Sequence, residues 1–377
     1  MSPCALRASV PPCAPRASVR PPYLRALRAI PVPSVPPCLR AILSAGEWLK
    51  GKLNFILGQT DHLGQTDHAD TAMAQPGIRQ LHRAPLKPTI GHIALLLFTA
   101  LLIALGSATP ASAQSGRVFD NLSMKSEILG GERKYALYLP PDYETSQRSY
   151  PVLYLLHGKS DDQTGWVQFG EVHHIADQAI NDGTATPMII VMPDADTGRV
   201  GYFNSIDGEW RYEDFFFDEF IPYIETTYRT RGERQYRAVA GLSMGGGGSF
   251  VYALHRPDLF ASAAPLSASF KETREIFRRY YDIDPEIDDD TFETYFQRYN
   301  VLALLDSVSV DDMKSVRWYM DIGDDDFLFD VNALAHIKLR RLEVKHEYRV
   351  RDGGHTWSYW RASLPDVLAF VSAGFHR

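Results

Sequence analysis

One pentapeptide constrains this 377-residue chain more than any other feature: Gly241-Leu242-Ser243-Met244-Gly245. It follows the apolar run 236–240 and precedes a segment with helical character, so it stands between a strand and a helix. A serine at such a sharp turn needs small flanking residues, because side chains there would collide with the neighbouring strand or helix. The G-x-S-x-G pattern therefore predicts a nucleophile elbow that presents Ser243 at one end of a sheet.

The first 72 residues are rich in Pro, Arg and Ala and contain two near-duplicated phrases. Residues 3–10 recur as 12–19, and a second phrase at 58–62 recurs six residues later. Neither repeat has the period of about 20 to 50 residues that is typical of a solenoid, and the proline content leaves little that could pack into a core. We expect residues 1–72 to be disordered; the alternative is a mis-assigned extension, with translation starting at Met73.

Residues 73–113 have the three parts of a secretory signal peptide. Basic side chains precede the apolar run 93–105, and the small residues Ala111-Ser112-Ala113 form a cleavage site before Gln114. Thirteen apolar residues are too few to span a bilayer comfortably. We expect a secreted or periplasmic protein with no stable membrane association after cleavage; the alternative is an uncleaved anchor.

Cysteine and charge are distributed unevenly along the chain. Cys4, Cys13 and Cys38 all lie before the expected cleavage site, so the remainder has neither a disulfide nor a thiol nucleophile. Residues 114–377 hold 28 Lys and Arg against 42 Asp and Glu. Such an acidic body disfavours nucleic acid or an anionic membrane as a partner. The oligomeric state does not follow from the sequence.

The chain beyond Gln114 alternates short apolar runs with helical patterns, which is typical of an α/β protein with a mostly parallel sheet. The apolar runs predict strands at 135–139, 152–156, 188–192, 236–240, 261–266, 317–322 and 346–350. Spacings of three and four residues predict helices at about 212–228, 331–341 and 364–371. No second domain is needed.

The stretch at about 270–312 is too long for a simple connection between strands. It contains several basic and aromatic residues and the acidic run Asp288-Asp289-Asp290. We expect a partly helical, cap-like insertion over the active site that helps to select substrate. An ordinary structural excursion is the alternative.

A serine nucleophile needs a histidine base and a carboxylate that orients it. His355 follows the last predicted strand on a glycine-rich loop, at the end of the sheet where catalytic residues collect. The other histidines beyond Gln114 lie in helices, strands or the tail and are expected to be structural: His157, His173, His174, His255, His336, His346 and His376. The acid is expected after the preceding strand, where Asp324, Asp325 and Asp326 are adjacent and spacing does not choose among them.

Two backbone N–H groups are candidates for binding the negative oxygen of an acyl-transfer intermediate. Met244 follows the nucleophile at the start of a helix, whose positive end favours developing negative charge. The second donor is expected after the strand that ends at His157-Gly158, most simply from Lys159. Residues 114–377 show no metal-ligand spacing, so no metal and no organic cofactor is expected.

Several motifs occur together in a fixed order across most of residues 130–373. They are Tyr150-Pro151-Val152-Leu153-Tyr154-Leu155-Leu156-His157-Gly158, Tyr228-Arg229-Thr230, Ala240-Gly241-Leu242-Ser243-Met244-Gly245-Gly246, Gly323 with Asp326-Phe327-Leu328, and Gly354-His355-Thr356-Trp357. In these motifs the chain resembles the putative-esterase family of α/β-hydrolases. That family includes tributyrin-type, acetyl-xylan and feruloyl esterases, S-formylglutathione hydrolases and mycolyltransferases.

The resemblance implies an α/β-hydrolase fold, a mostly parallel central sheet with helices on both faces. It also implies that Asp326 is the acid and that the N–H groups of Met244 and Lys159 bind the oxyanion. Two features depart from the family pattern. Gly245 begins a run of four glycines, which weakens a helix unless close packing requires them, and the 270–312 insertion has no recognisable counterpart.

These observations predict an exported serine carboxylesterase that works through an acyl-enzyme. The expected substrates are short-chain acyl esters or carbohydrate-linked acetyl or feruloyl esters. An acyltransferase of the mycolyltransferase type and a non-catalytic binding protein on the same fold are the alternatives. Some aromatic residues could line a sugar-binding or aryl-binding cleft, although core packing is the expected use of most of them: Tyr202, Phe203, Trp210, Tyr212, Trp357, Tyr359 and Trp360.

Overall fold

The computed structural model of this chain describes residues 115–195 and 198–376. The predictions for residues 1–72 and for the signal peptide at 73–113 lie outside the described residues. None of the helices in the described part of the chain is long and apolar enough to cross a membrane.

Eight strands of the described residues form one sheet in the order β1-β2-β4-β3-β5-β6-β7-β8. The strands are β1 Arg117–Ser126, β2 Gly131–Leu139, β3 Val152–Leu156, β4 Ile189–Pro193, β5 Arg237–Leu242, β6 Ser262–Leu266, β7 Arg317–Gly323 and β8 His346–Arg351. β1 pairs antiparallel with β2, and β2 pairs antiparallel with β4. From β4 to β8 all neighbouring strands are parallel, so their carboxyl ends meet at one edge of the sheet.

Helices connect the parallel strands and cover both faces of the sheet. They are α1 Gly165–Gln168, α2 Val172–Asn181, α3 over 212–227, α4 Met244–His255, α5 Arg274–Tyr280, α6 Asp289–Tyr299, α7 Val301–Ser307, α8 Val310–Ser315, α9 Phe329–Arg341 and α10 Trp357–Phe375. The middle of α3, Phe215–Phe220, is π-helical, with α-helical turns before and after it. The sheet, with its helices on both faces, is an α/β-hydrolase fold, as predicted.

The alternation of side chains along each strand divides the core into two layers. In β3, Val152, Tyr154 and Leu156 pack with α3, α4 and the insertion, whereas Leu153 and Leu155 pack with α2 and α10 on the other face. All five side chains are fully buried, which explains why this strand reads as a continuous apolar run.

The insertion folds as the four helices α5 to α8, which join the larger of the two core layers. A side chain at the N-terminus of each helix accepts a hydrogen bond from a backbone N–H of its first turn. These capping residues are Thr273, Asp288, Asn300 and Ser309. The insertion is therefore helical, as predicted, and is continuous with the hydrophobic core.

Candidate active site

Ser243 lies between β5 and α4 with φ 52° and ψ −114°. Such a conformation is sparsely populated by residues other than glycine and costs about 1–3 kcal/mol, so the surrounding structure must hold it in place. The last residue of β6 and the loop after β6 hold it from both sides. The N–H of Ser243 donates to the Leu266 carbonyl at 2.9 Å, and the N–H of Ser269 donates to the Ser243 carbonyl at 2.8 Å.

The run of glycines at the start of α4 is required by close packing. A Cβ on Gly245 would lie 2.5 Å from the Leu156 carbonyl oxygen, and one on Gly246 would lie 2.6 Å from the Leu266 carbonyl oxygen. A Cβ on Gly247 would overlap backbone of the same loop, and one on Gly248 would meet the Tyr202 ring at 2.9 Å. These glycines allow the helix to approach two strand ends closely, which offsets their poor helix propensity.

The structure brings Ser243, His355 and Asp326 together as a hydrogen-bonded chain. His355 Nε2 lies 2.9 Å from Ser243 Oγ, and His355 Nδ1 lies 2.9 and 3.0 Å from the two carboxylate oxygens of Asp326. An ionised Asp326 can only accept hydrogen bonds, so Nδ1 carries the hydrogen and Nε2 is free to accept from the serine. Ser243 follows β5, Asp326 follows β7 and His355 follows β8, all at the carboxyl edge of the sheet.

Asp326 is buried and held in its ionised form by its hydrogen bonds. Burial by itself would raise the pKa of this carboxyl. Hydrogen bonds from His355, from the Leu328 N–H at 2.9 Å and from Ser267 outweigh that effect, so the pKa lies below its usual value. The side chain can therefore orient the histidine as an anion at neutral pH.

Sequence reasoning missed two contributions to this arrangement. Ser267, which is fully buried, accepts a hydrogen bond from Trp360 Nε1 at 3.0 Å and itself bonds to Asp326. The Trp360 ring also stands perpendicular to the His355 ring with centroids 4.9 Å apart. The sequence indicates only packing or a cleft for Trp360, and no motif marks Ser267. The position of Ser267 directly after β6 is the one available signal.

The two neighbouring aspartates have different surroundings. Asp324 and Asp325 are exposed, and an oxygen of Asp324 accepts from the Gly353 N–H at 3.1 Å, which ties it to the loop that carries His355. Together with exposed Asp352 they form a group whose oxygens lie within 4.8 Å of one another. Exposed acidic groups of this kind are common without an ion, and nothing else among the described residues points to a metal there.

The buried histidine at the end of β3 has a structural position. His157 Nδ1 donates to the Gly158 carbonyl at 2.8 Å, and its Nε2 accepts from the Ala195 N–H at 2.9 Å. Burial, opposed in part by the Gly158 bond and nearby Asp194, lowers the pKa of this imidazole. A neutral His157 therefore fixes the loop that carries Lys159.

Lys159 and Met244 line one cavity of about 390 Å³ beside the nucleophile. Met244 is the first residue of α4, where backbone N–H groups lack intrahelical partners. A Cβ built on Gly158, the residue before Lys159, would lie 3.5 Å from the Ser243 Cβ. Tyr280 and Tyr281, at the end of the insertion's first helix, complete the wall next to Lys159.

Core packing accounts for six of the seven aromatic residues that had been considered for a cleft. These six are buried: Tyr202, Phe203, Trp210, Tyr212, Tyr359 and Trp360. Trp210 also reaches the 390 Å³ cavity, and Trp357 is partly exposed beside Phe169. An exposed aromatic residue beside His355 is not among those expected at a cleft: Phe327 is 77% exposed, and its ring is tilted by 51° to the His355 ring with the centroids 4.6 Å apart.

A serine at a strained elbow, hydrogen-bonded to a histidine that is bonded to a buried carboxylate, can attack an activated carbonyl and move the proton onward. On this sheet topology, such a site defines the class of serine hydrolases with the α/β-hydrolase fold. The chain belongs to the putative-esterase family, whose model matches residues 126–371.

Known proteins of several kinds are similar to this chain. Esterase MT1326 of Mycobacterium tuberculosis is 43% identical over 148 residues, which is 38% of this chain and 30% of the relative. An endo-1,4-beta-xylanase/feruloyl esterase of Xylanibacter ruminicola is 35% identical over 160 residues, 40% of this chain and 22% of the relative. The chain thus spans less than a third of the length of these two curated relatives.

Solved structures extend the similarity over a larger share of the chain. A ferulic acid esterase is 35% identical with a TM-score of 0.61, covering 69% of this chain and 99% of that one. An S-formylglutathione hydrolase of Staphylococcus aureus superposes with a TM-score of 0.55 at 22% identity, covering 68% of this chain and 98% of that one. The second likeness concerns the fold alone.

Proposed function

We propose that this protein is an exported serine carboxylesterase in which Ser243, His355 and Asp326 form the catalytic triad. The observation that carries the proposal is the unbroken hydrogen-bonded chain from Ser243 Oγ through both ring nitrogens of His355 to buried Asp326. Short-chain acyl esters and carbohydrate-linked acetyl or feruloyl esters are the proposed substrates. The 35% identity to a ferulic acid esterase over nearly its whole length supports the second group.

The reaction proceeds in two halves. Ser243 Oγ attacks the ester carbonyl carbon while its proton passes to His355 Nε2, and Asp326 stabilises the imidazolium without being protonated. The tetrahedral intermediate collapses, the bond to the alcohol oxygen breaks, and Nε2 returns the proton to the leaving alcohol. Water then attacks the acyl-enzyme by the same route, with Nε2 as base, and releases the acid and free Ser243.

The negative oxygen of each tetrahedral intermediate is bound by the N–H groups of Met244 and Lys159. The support is their position on either side of Ser243, one at the start of α4 and the other after β3, in the wall of the same cavity. Loss of one such donor costs on the order of 10²–10³ in rate. The fixed loop conformation imposed by His157 keeps the Lys159 donor in place.

Export is the part of the proposal that rests on sequence. The basic, apolar and small-residue segments of 73–113 support it. N-terminal sequencing of protein recovered from culture medium or periplasm tests it. A chain that begins at Gln114 is expected, and one that retains residues well before Gln114 would rule out cleavage at that site.

The decisive experiment uses p-nitrophenyl acetate, butyrate and octanoate together with methyl ferulate, assayed on the wild type, Ser243→Ala and Ser149→Ala. Ser149 is exposed, just before β3 at the opposite edge of the sheet, and is the matched control. Ser243→Ala should lose at least about 10⁴-fold in kcat, whereas Ser149→Ala should match the wild type. A p-nitrophenol burst equal to the enzyme concentration would mark the acyl-enzyme, and substantial hydrolysis by Ser243→Ala would refute the proposal.

The same assay with an added alcohol acceptor distinguishes hydrolysis from acyl transfer. If the acyl group appears mainly on the added alcohol rather than on water, the protein is an acyltransferase. We expect the free acid as the main product, because two proteins similar to this chain, Esterase MT1326 and a ferulic acid esterase, are named as esterases.

A further inference from the structure

Two lysine side chains converge on one aromatic ring beside the proposed nucleophile. Lys271 Nζ lies 3.4 Å from the centroid of Tyr280, and Lys159 Nζ lies 5.0 Å from the same centroid. Lys271 belongs to the loop after β6 that fixes the elbow, since its ammonium donates to Ser269 Oγ at 3.1 Å and the Ser269 N–H donates to the Ser243 carbonyl. Lys159 follows β3, and Tyr280 ends α5 of the insertion.

The positive charge at this point is uncompensated among the described residues. Lys271 is only 8% exposed, and no carboxylate of residues 115–195 and 198–376 forms an ion pair with it or with Lys159. A buried ammonium without a counter-ion is costly, and a ring face returns only about 0.5–2 kcal/mol per cation. Burial, together with the charge of Lys159, lowers the pKa of Lys271 to about 8, so most of this charge is still present at neutral pH.

The acidic character of the rest of the domain makes the cluster of Lys159 and Lys271 more unusual. Residues 114–377 carry a large excess of acidic side chains, and several of them form ion pairs with arginines, as Glu225 does with Arg237, Glu213 with Arg298 and Asp321 with Arg351. A buried cation with a perturbed pKa, such as Lys271, is typical of a functional site when a specific charged neighbour lies beside it. The adjoining cavity is lined by the aromatic and apolar side chains of Trp210, Met244, Tyr280 and Tyr281 and by charged side chains, namely Lys159, Arg199, Asp207, Glu209 and Asp282. Its aromatic and apolar part suits an apolar molecule with one charged end.

We propose that Lys159, Lys271 and Tyr280 form a subsite that recognises esters carrying a carboxylate. The substrate carboxylate is the counter-ion that the described residues do not supply to the two ammonium groups, and the apolar part of the substrate lies along the aromatic wall. The insertion then contributes to specificity through Tyr280, which holds both cations in place of the carboxylate when the site is empty. This inference rests on the proposed function of Ser243, because the subsite is defined relative to that nucleophile.

The test compares charged and neutral esters of matched size. One pair places the charge on the acyl side, mono-p-nitrophenyl adipate against p-nitrophenyl hexanoate. The other places it on the alcohol side, 4-carboxyphenyl acetate against 4-(methoxycarbonyl)phenyl acetate. The measured quantity is the ratio of kcat/KM for the charged ester to kcat/KM for the neutral ester, in the wild type, Lys159→Met, Lys271→Met and the control Lys314→Met, an exposed residue of α8.

For at least one of the two pairs, Lys159→Met and Lys271→Met should each lower this ratio by about tenfold, the effect of losing one partly buried ion pair. Lys314→Met should leave it unchanged, and raising the salt concentration should lower it in the wild type. Lys159 is exposed and keeps its backbone N–H in any variant, so its result stands even where Lys271→Met folds poorly.

The outcomes separate the inference from the function on which it rests. If both lysine variants slow charged and neutral esters equally, the cations act only on the oxyanion and the subsite is refuted. Unchanged ratios in both pairs refute it as well. Hydrolysis that persists in Ser243→Ala would instead overturn the proposed function, because the reaction would then take place at another site.

Discussion

The glycines of α4 allow a prediction in which two physical effects have opposite signs. Replacing a helical glycine by alanine ordinarily stabilises a helix by about 1 kcal/mol. In Gly246→Ala, however, the new Cβ would lie 2.6 Å from the Leu266 carbonyl oxygen and 2.8 Å from the Ala268 Cα. To reach an ordinary contact of 3.4 Å, the end of β6 and the loop after it must move by about 0.8 Å, and packed interiors resist such shifts.

The expected loss of stability follows from the contacts of the Leu266 carbonyl. Overpacking costs about 1–3 kcal/mol, and the Leu266 carbonyl also accepts the Ser243 N–H at 2.9 Å, a bond that contributes about 1 kcal/mol. The sum outweighs the gain in helix propensity, so the free energy of unfolding should fall by about 1–3 kcal/mol. Displacement of the nucleophile by a fraction of an ångström should also lower kcat by about 10- to 100-fold.

Urea unfolding followed by circular dichroism and steady-state hydrolysis of p-nitrophenyl butyrate measure the two effects. Gly131→Ala is the control, because nothing lies within 4 Å of a Cβ at Gly131; its unfolding free energy should stay within about 0.5 kcal/mol of the wild type. A Gly246→Ala protein that is more stable than the wild type, with unchanged kcat, would show that the loop is free to move and that close approach is not the reason for the glycines.

Three further substitutions test the surroundings of the triad and the sheet. Asp326→Asn should lower kcat by about 10³–10⁴-fold, because an amide favours the wrong histidine tautomer, whereas exposed Asp325→Asn should stay within about threefold; equal losses would contradict the choice of acid. Ser267→Ala removes one of the hydrogen bonds that lower the pKa of Asp326. A carboxylate with a lowered pKa stabilises the fold above its unfolded pKa of about 4, and this stabilisation is lost as the pH falls through the folded pKa. Ser267→Ala should therefore lower the free energy of unfolding more at pH 7 than at pH 3. Equal losses at the two pH values would argue against the hydrogen bond between Ser267 and Asp326. Arg237→Met leaves a largely buried carboxylate of α3 unpaired and should cost about 2–4 kcal/mol, whereas Arg349→Met breaks an exposed pair and should cost less than about 1 kcal/mol; similar unfolding free energies for the two variants would contradict this difference.

Most of the sheet was predictable because buried parallel strands read as continuous apolar runs. The predicted strands lie within one or two residues of the observed ones, except that β2 begins four residues earlier, at Gly131. β1 was missed because it is an edge strand with mostly exposed side chains, among which only Met124 and Ser126 are buried. The second helix, Val172–Asn181, was missed for a similar reason, since its buried face consists of Val172, Ala176 and Ala179 among polar residues.

The candidate site was predictable where the chain order of motifs constrains it. Ser243 and His355 stand directly after strands in recognisable glycine-rich contexts, and the family resemblance chose Asp326. Ser267 and Lys271 were not predictable, because each follows β6 without a motif. Their surroundings depend on how the insertion packs over the elbow, which is a matter of tertiary structure rather than of local sequence.

The two open edges of the sheet have a consequence for how this protein behaves in concentrated solution. An exposed strand edge can recruit the strand of another molecule, and natural proteins prevent this with bulges and charged side chains. β1 is irregular between Phe119 and Leu122, and β8 carries Glu347, Arg349 and Arg351. One edge is thus protected by its shape and the other by its charge, so we expect the folded enzyme to resist edge-to-edge aggregation even though most of its sheet consists of apolar strands.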